Sequence, residues 1–286
     1  MTDHLLSKDP TPDPAEFNAF FPSPFSLGQF TSPTVTIEGA DYAAPYTGGR
    51  KILMIAADER YLPTDTGKLF STGNHPVETL LPMYHLHKAG FRFEVATVSG
   101  RSAKFEFWAM PVEQPEITGL HAEYLSQFLA PKNLAEIADS LDETSDYLAV
   151  FIPGGHGALI GLPESKAVAR VLDWAMAIDR HVISLCHGPA ALVAAGRGKA
   201  SPFKGYSIAA FPDAVDRQTP DIGYMPGGLT WFFGADLAAQ GVTIGNSDVT
   251  GATHQDRKVI TGDSPFASNA LGKLAARALL DEVAKA

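Results

Sequence analysis

The sequence predicts an α/β fold, a doubly wound and mostly parallel sheet with helices on both faces. Three features of the chain carry this. Lys51–Ala57 and Tyr147–Pro153 are continuous apolar runs of strand length, the pattern of strands buried on both faces of a parallel sheet. Helix-length segments alternate with runs of this kind, as in βαβ units. Finally, Ile183-Ser184-Leu185-Cys186-His187-Gly188-Pro189-Ala190-Ala191 is an apolar run that stops at a cysteine and restarts in small residues. That is the form of a strand-to-helix elbow, which projects one side chain from the carboxyl edge of the sheet.

Along the chain, residues 1–49 are rich in Pro, Phe, Ser, Thr and Gly and follow neither the helical nor the strand period, which predicts an irregular arm. Its aromatic content, as in Phe20-Phe21-Pro22-Ser23-Pro24-Phe25, places it against the protein body or a second subunit. The catalytic core is expected over 50–286. It begins with strand Lys51–Ala57, a helix opened by proline over Pro76–Lys88, and strand Phe91–Ser99. Between about 100 and 145 the alternation breaks at Trp108, Pro111 and Pro115 and gives way to polar helical segments such as Asn133–Leu141. This predicts a small inserted cap subdomain, packed with the arm over the sheet edge where open α/β sheets bind ligands. Strand Tyr147–Pro153, helix Glu164–Ala177, strand Val182–Leu185 and the elbow helix follow. Further strands are expected at Ser207–Ala210, Val242–Ile244 and Val259–Thr261, and a closing helix at Ala267–Ala284.

Composition removes several function classes. With 22 Lys+Arg against 32 Asp+Glu the net charge is -10, and no basic run occurs, so nucleic-acid phosphates and anionic membranes are poor partners. No apolar stretch approaches the roughly 20 residues that span a bilayer, and Met1-Thr2-Asp3-His4 lacks the basic start of a leader, so a cytoplasmic location is expected. A single cysteine among 286 residues makes neither an internal disulfide nor a zinc cluster of thiolates. Chemistry at Cys186 is therefore that of a lone thiol.

At an elbow, a thiolate gains from a helix N-terminus and free backbone N–H groups, which lower its pKa. The alternative is a buried cysteine acting as a small hydrophobe. Pro153-Gly154-Gly155-His156-Gly157 ends the central strand, and the N–H groups of Gly154 and Gly155 are candidates for an oxyanion hole facing Cys186. His187 adjoins the thiol and can move its proton if a carboxylate orients the ring. Asp213 and Asp216 are both candidates for that carboxylate, and either could instead cap a turn. Glu78, in the first turn of the Pro76 helix, is either a surface acid complementing the helix dipole or, if buried beside the thiol, a proton shuttle. His85 and His87, two apart on that helix, point to different faces and cannot share a metal.

The segments Ala56-Ala57-Asp58-Glu59-Arg60-Tyr61-Leu62-Pro63, Thr72-Gly73-Asn74-His75-Pro76-Val77-Glu78-Thr79, Val150–Ala158, Ser184–Pro189 and Thr261–Ala267 resemble the heat-shock chaperone and glyoxalase III branch of the ThiJ/PfpI superfamily. The similarity runs from about Phe20 to the C-terminus. It implies a flavodoxin-like fold related to class I glutamine amidotransferases, and a triad of Cys186, His187 and Asp216 with Glu78 as the acid beside the thiol. It also implies cofactor-free conversion of methylglyoxal to lactate through a hemithioacetal, deglycation of methylglyoxal adducts on proteins and nucleotides, and a homodimeric holdase for unfolded proteins. One departure concerns metal. The family binds a metal through two histidines and a glutamate, whereas the matching positions here are His87, Arg92 and Tyr124. The expectation is that this site holds no metal, even with His121 one turn before Tyr124. Alternative readings are a chaperone whose thiol senses oxidants, and a peptidase or amidase using the same triad.

Overall fold

The computed structural model describes residues 6–285, so Met1-Thr2-Asp3-His4, whose lack of a basic start bears on a leader, lies outside the described residues. Seven strands form the central sheet: β1 (Lys51–Ala56), β2 (Arg92–Thr97), β3 (Lys132–Asn133), β4 (Tyr147–Ile152), β5 (His181–Leu185), β6 (Thr253–Asp256) and β7 (Val259–Gly262). Their order is β6-β7-β5-β4-β1-β2-β3, and every pairing is parallel except that of β6 with β7.

Strand alternation sends Ile52 and Met54 of β1 into one layer and Leu53 and Ile55 into the other, all completely buried. Helices α1 (Pro76–Lys88), α2 (Pro115–Leu129) and α5 (Ser268–Val283) cover the first face. Helices α3 (Leu134–Ser140) and α4 (Lys166–Ala177) cover the second together with Gly188–Gly196. With both faces covered, β1, β4 and β5 can be apolar at nearly every position. The helix α1 has the bounds its sequence predicts, and Ser165 and Ala267 begin or precede the other two expected helices. The close approach of α1 and α5 depends on Gly272: a Cβ there would lie 2.7 Å from His85 Cδ2. His85 is accordingly structural, with Nε2 2.8 Å from Asn269 Oδ1 and Nδ1 3.1 Å from the Tyr42 hydroxyl.

Several expectations change. Ser207–Ala210 and Val242–Ile244 shorten to Ser207–Ile208 and Thr243–Ile244, which pair with each other outside the central sheet. The reason is local: the Ala209 N–H donates to Thr261 Oγ1 at 2.8 Å and the Ala210 N–H to Asn246 Oδ1 at 3.1 Å, so side chains end the ladder. The elbow is followed by tight 3₁₀-type turns over Gly188–Gly196 rather than an α-helix. Within the segment expected as a cap, β3 extends the sheet edge beside β2 and α2 packs into the α1 layer, while Asn74 bridges Phe105 and so brings Glu106 toward the elbow. The arm is not irregular throughout. Thr11–Pro12 and Ala19–Phe21 join Leu69–Ser71 and Tyr61–Pro63 in a four-stranded sheet, and Pro24–Phe30 is a helix capped by Ser23. The arm is held to the body by the Ser23 N–H donating to Gly223 O (2.8 Å) and Ser26 Oγ donating to Ile222 O (2.6 Å).

Candidate active site

β5 delivers Cys186 to the carboxyl edge of the sheet with φ +56°, a left-handed conformation that a non-glycine residue adopts under strain. Two bonds enforce it: the Cys186 N–H donates to Gly262 O and the Cys186 carbonyl accepts from the Phe211 N–H, both at 2.9 Å. Neighbouring strand and loop thus fix the thiol at the turn.

His187 Nδ1 lies 3.2 Å from Cys186 Sγ. Its Nε2–H donates to Asp216, 2.9 Å from Oδ2 and 3.1 Å from Oδ1, and Phe211 stacks on the ring at 4.7 Å between centroids. This arrangement leaves Nδ1 as the acceptor for the thiol proton. Asp216 is completely buried. Burial alone would raise its pKa, but the adjacent His187 and hydrogen bonds from His156 and His187 outweigh it and hold the carboxyl well below the usual range. Asp213 does the other job that its position allowed: its carboxylate accepts from the N–H groups of Gly234 (3.1 Å) and Ala235 (3.2 Å), capping the helix Phe233–Ala239.

Glu78 is 1% exposed and lies against the thiol. A Cβ on Gly154 would fall 1.8 Å from Glu78 Oε2 and 2.7 Å from Cys186 Cβ, so the glycine makes room for both. Neither Glu78 oxygen has a well-aligned hydrogen bond; the thiol and the Gly155 N–H are its nearest polar neighbours. Burial pushes the Glu78 pKa well up, with those neighbours partly opposing. Burial likewise pushes the Cys186 thiol well up, and the Glu78 carboxylate adds to this. The lowering expected from a helix N-terminus is therefore overturned, because the segment after the elbow is buried 3₁₀ turns and dehydration of the thiolate dominates. The chemistry resides in the pair. Once Glu78 is protonated it no longer repels the thiolate, and its O–H can donate to Sγ.

The chamber beside these groups encloses about 430 Å³ and is lined by Cys186, His187, Glu78, Gly155, Phe211 and Tyr224, among others. Gly155, at φ +101°, directs its N–H toward the thiol and Glu78. The Gly154 carbonyl accepts from the His75 N–H at 2.9 Å.

Three buried groups in the chamber carried no functional assignment from sequence. His156 is 4% exposed, with Nε2 3.3 Å from Asp216 Oδ1 and its ring 4.0 Å from that of His187. Glu106, fully buried, accepts from Thr72 Oγ1 at 2.5 Å, and burial raises its pKa. His75 precedes the first turn of α1 without a side-chain capping bond, and burial, His156 and His187 bring its pKa down to about 3. His156 stood inside the glycine motif and could have been found by asking what the residue between two glycines faces. Glu106 had no such signal, since backbone pairing with Asn74 (Glu106 N–H to Asn74 O, 3.0 Å) brings it in.

At the family metal positions, Arg92 Nη1 donates to the carbonyls of Phe91 (3.2 Å) and His87 (3.4 Å), and the Tyr124 hydroxyl accepts from the Phe93 N–H at 3.4 Å. His87 Nε2 faces Glu123 Oε2 at 3.6 Å, and burial and then Arg92 depress its pKa. His121 is held between Phe105 and Phe128, in edge-to-face and stacked contacts at 5.4 and 5.6 Å. A guanidinium in place of a carboxylate does not suit a dication, so these residues do not fit the family's metal. His156, His187 and Asp216 also bring ligand-type atoms within 4.8 Å of one another, but their facing atoms are joined by N–H···O bonds.

No protein-family model matches the chain. The chain is 62% identical over 274 residues to the protein/nucleic acid deglycase HchA of Escherichia coli O1:K1, covering 96% of each sequence. Among solved structures, it is similar in fold to the Rapid Encystment Protein 24 KDa of Francisella tularensis (TM-score 0.64, 19% identity, 81% of this chain and 99% of that one). It is also similar to glyoxalase III of Candida albicans (TM-score 0.59, 22% identity, 80% and 97%). The elbow geometry, the sheet order and a match over nearly the whole sequence lead to one assignment: the chain belongs to the HchA protein/nucleic acid deglycase family.

Proposed function

We propose that this protein is a cofactor-free glyoxalase III that converts methylglyoxal to lactate and removes methylglyoxal adducts from amines by the same chemistry. One observation carries the reading: a thiol at a strained elbow, 3.2 Å from an Asp-oriented histidine, with a buried carboxyl of raised pKa against it. The relatives' deglycase name is consistent with it.

In the first step His187 Nδ1 takes the Cys186 proton and Sγ adds to the aldehyde carbon, giving a hemithioacetal; the new oxyanion faces the Gly155 N–H. Glu78, in its ionised form, then removes the hydrogen from that carbon. The electron pair moves to form an enediolate, and Glu78 returns the proton to the neighbouring carbon, which becomes the CHOH of a lactoyl thioester. One carbon is oxidised and the other reduced, so no external redox partner is needed. A buried Glu78 suits this shuttle, because burial pushes its pKa up and makes the carboxylate a stronger base than an exposed one toward the carbon-bound hydrogen. Water then releases lactate and restores the thiol. For a glycated amine, the thiol attacks the carbon bearing nitrogen and the amine leaves.

Substrates are accordingly small dicarbonyls and glycated proteins or nucleotides. No helix among the described residues is long and apolar enough to cross a membrane. Homodimerisation and a holdase role for unfolded proteins enter the proposal on the family resemblance alone; a cytoplasmic location and a body divided into arm, cap and core enter it from the sequence pattern, and an unfilled metal site from Arg92 and Tyr124 standing at the family's ligand positions. The test is lactate formation from methylglyoxal, together with release of free amine from a methylglyoxal-treated peptide, in glutathione-free buffer. The reading expects both, and a protein that cleaves peptides without forming lactate overturns it.

A further inference from the structure

Of the two chamber histidines that the mechanism above leaves idle, His75 and His156, it is His156 that hydrogen-bonds Asp216. It occupies the turn between Gly155 and Gly157, where glycines are required by packing: a Cβ at Gly157 would lie 2.7 Å from Gly73 backbone atoms, and at Gly155 2.4 Å from Gly73 O. The turn is thereby pinned, and it sets the imidazole against Asp216 Oδ1 at 3.3 Å. Phe70 meets the ring edge-on at 5.5 Å and Tyr224 packs beside it at 5.7 Å. Asp216 thus receives two imidazoles, whose rings lie 4.0 Å apart and share its Oδ1, and both rings line the same chamber as the thiol.

An imidazole that donates one N–H to a buried carboxylate presents its other nitrogen as an oriented base, which is the relation that makes His187 competent toward the thiol. His156 has this relation to Asp216. No protein group among the described residues hydrogen-bonds its Nδ1. We propose that His156 is the general base for the hydrolytic half-reaction: Asp216 orients His187 to serve the thiol and His156 to serve the water that cleaves the lactoyl thioester. His156 Nδ1 takes a proton from water as the water oxygen adds to the thioester carbonyl. The carbon–sulfur bond then breaks, lactate leaves, and the proton passes to the departing thiolate of Cys186. Atoms and charge balance without a further reactant.

The groups facing His156 are Asp216, His187, Glu106 and, across the chamber, His75. Burial and the adjacent His187 lower the His156 pKa, partly opposed by Asp216 and Glu106, so the ring is neutral and its lone pair is free at the pH of the cell. Division of labour also explains why one imidazole does not do both tasks. His187 Nδ1 faces the sulfur, 3.2 Å away, whereas the Nδ1 of the neighbouring His156 makes no protein hydrogen bond among the described residues and is left to serve the water.

The inference rests on the glyoxalase reading, and the experiment separates their failures. His156→Gln is the informative variant, because its amide nitrogen keeps a donor for Asp216 and removes the base. With methylglyoxal as substrate, the expected result is a roughly 10²- to 10⁴-fold lower kcat with KM falling by the same factor, so that kcat/KM is preserved. Acid-quenched enzyme then carries a lactoyl group on Cys186, seen by mass spectrometry, and added hydroxylamine, which attacks the thioester without a base, restores turnover. A merely structural role predicts the opposite pattern: kcat/KM falls with kcat, no lactoyl enzyme accumulates, and hydroxylamine has no effect. That pattern, or unchanged kcat, overturns the inference. If wild type itself makes no lactate, the underlying reading fails instead. Should the glutamine variant not fold, His156→Asn is put through the same three measurements with the same criteria.

Discussion

Replacing Gly154 by alanine tests whether the closeness of Glu78 and Cys186 is what makes the site work. The added Cβ falls 1.8 Å from Glu78 Oε2, whereas ordinary contact begins at 3.4 Å, so the carboxyl must withdraw by about 1.6 Å. It cannot be spared by moving the glycine, because Cys186 Cβ and Leu185 O both lie 2.7 Å from the same point. Overpacking of this kind costs about 1–3 kcal/mol of stability. The functional cost is larger, since a 1 Å misplacement of a reacting group costs roughly 10²-fold in rate. The Gly154→Ala protein is expected to retain its fold, lose a few degrees in Tm, and lose at least about 10²-fold in kcat for lactate formation. The control is Gly119→Ala on α2, where a Cβ meets nothing within 4 Å and φ is ordinary. That change is expected to leave turnover alone and to stabilise by up to about 1 kcal/mol. Wild-type turnover in Gly154→Ala would refute the reasoning, because it would mean that Glu78 need not touch the thiol.

Other consequences follow from the same structure. Asp216→Asn removes the anion that fixes the His187 tautomer and supports its imidazolium, and it is expected to lower kcat by roughly 10²- to 10⁴-fold in the lactate assay with little change in far-UV circular dichroism. His75 has a folded pKa of about 3 against an ordinary 6.5. Between those values the unfolded chain binds more protons, so its contribution to stability is complete above pH 6.5 and is lost as pH falls toward 3. Denaturant titrations of wild type and His75→Asn across this range should give a stability difference that shifts in the variant's favour by a few kcal/mol on acidification; parallel curves would contradict it. Gly272→Ala drives a methyl into His85 and should destabilise the α1–α5 contact by about 1–3 kcal/mol in a thermal melt without altering the turnover of folded protein. Protein purified without added metal should hold no stoichiometric zinc, as the Arg92 guanidinium beside His87 disfavours a dication; elemental analysis finding zinc at unit stoichiometry counts against that.

What could be read from the sequence divides along physical lines. Apolar runs reported β1, β4 and β5 because strands buried on both faces have no polar side to hide them. The edge strand β6, Thr-His-Gln-Asp, has no apolar run because it lies at the sheet edge with none of its residues fully buried. Ser207–Ala210 had the right composition for a sheet strand, yet the Ala209 and Ala210 N–H groups donate to the Thr261 and Asn246 side chains, set by distant chain, and the strand ends early. At the site, Cys186 and His187 were legible because they sit where a strand ends, whereas Glu78 was placed beside the thiol, and Asp216 separated from Asp213, only by the resemblance. Glu106 was not legible at all, since its place depends on pairing with Asn74, and the sign of the thiol's pKa shift depended on burial that no local pattern reports.

The account stands on Cys186 as the covalent carrier of substrate. Lactate formation from methylglyoxal, followed in glutathione-free, chelator-treated buffer for wild type and for Cys186→Ala, tests this most directly. The prediction is steady turnover by wild type and none above the uncatalysed rate for the variant, with both folded. Lactate production that survives in Cys186→Ala would contradict it.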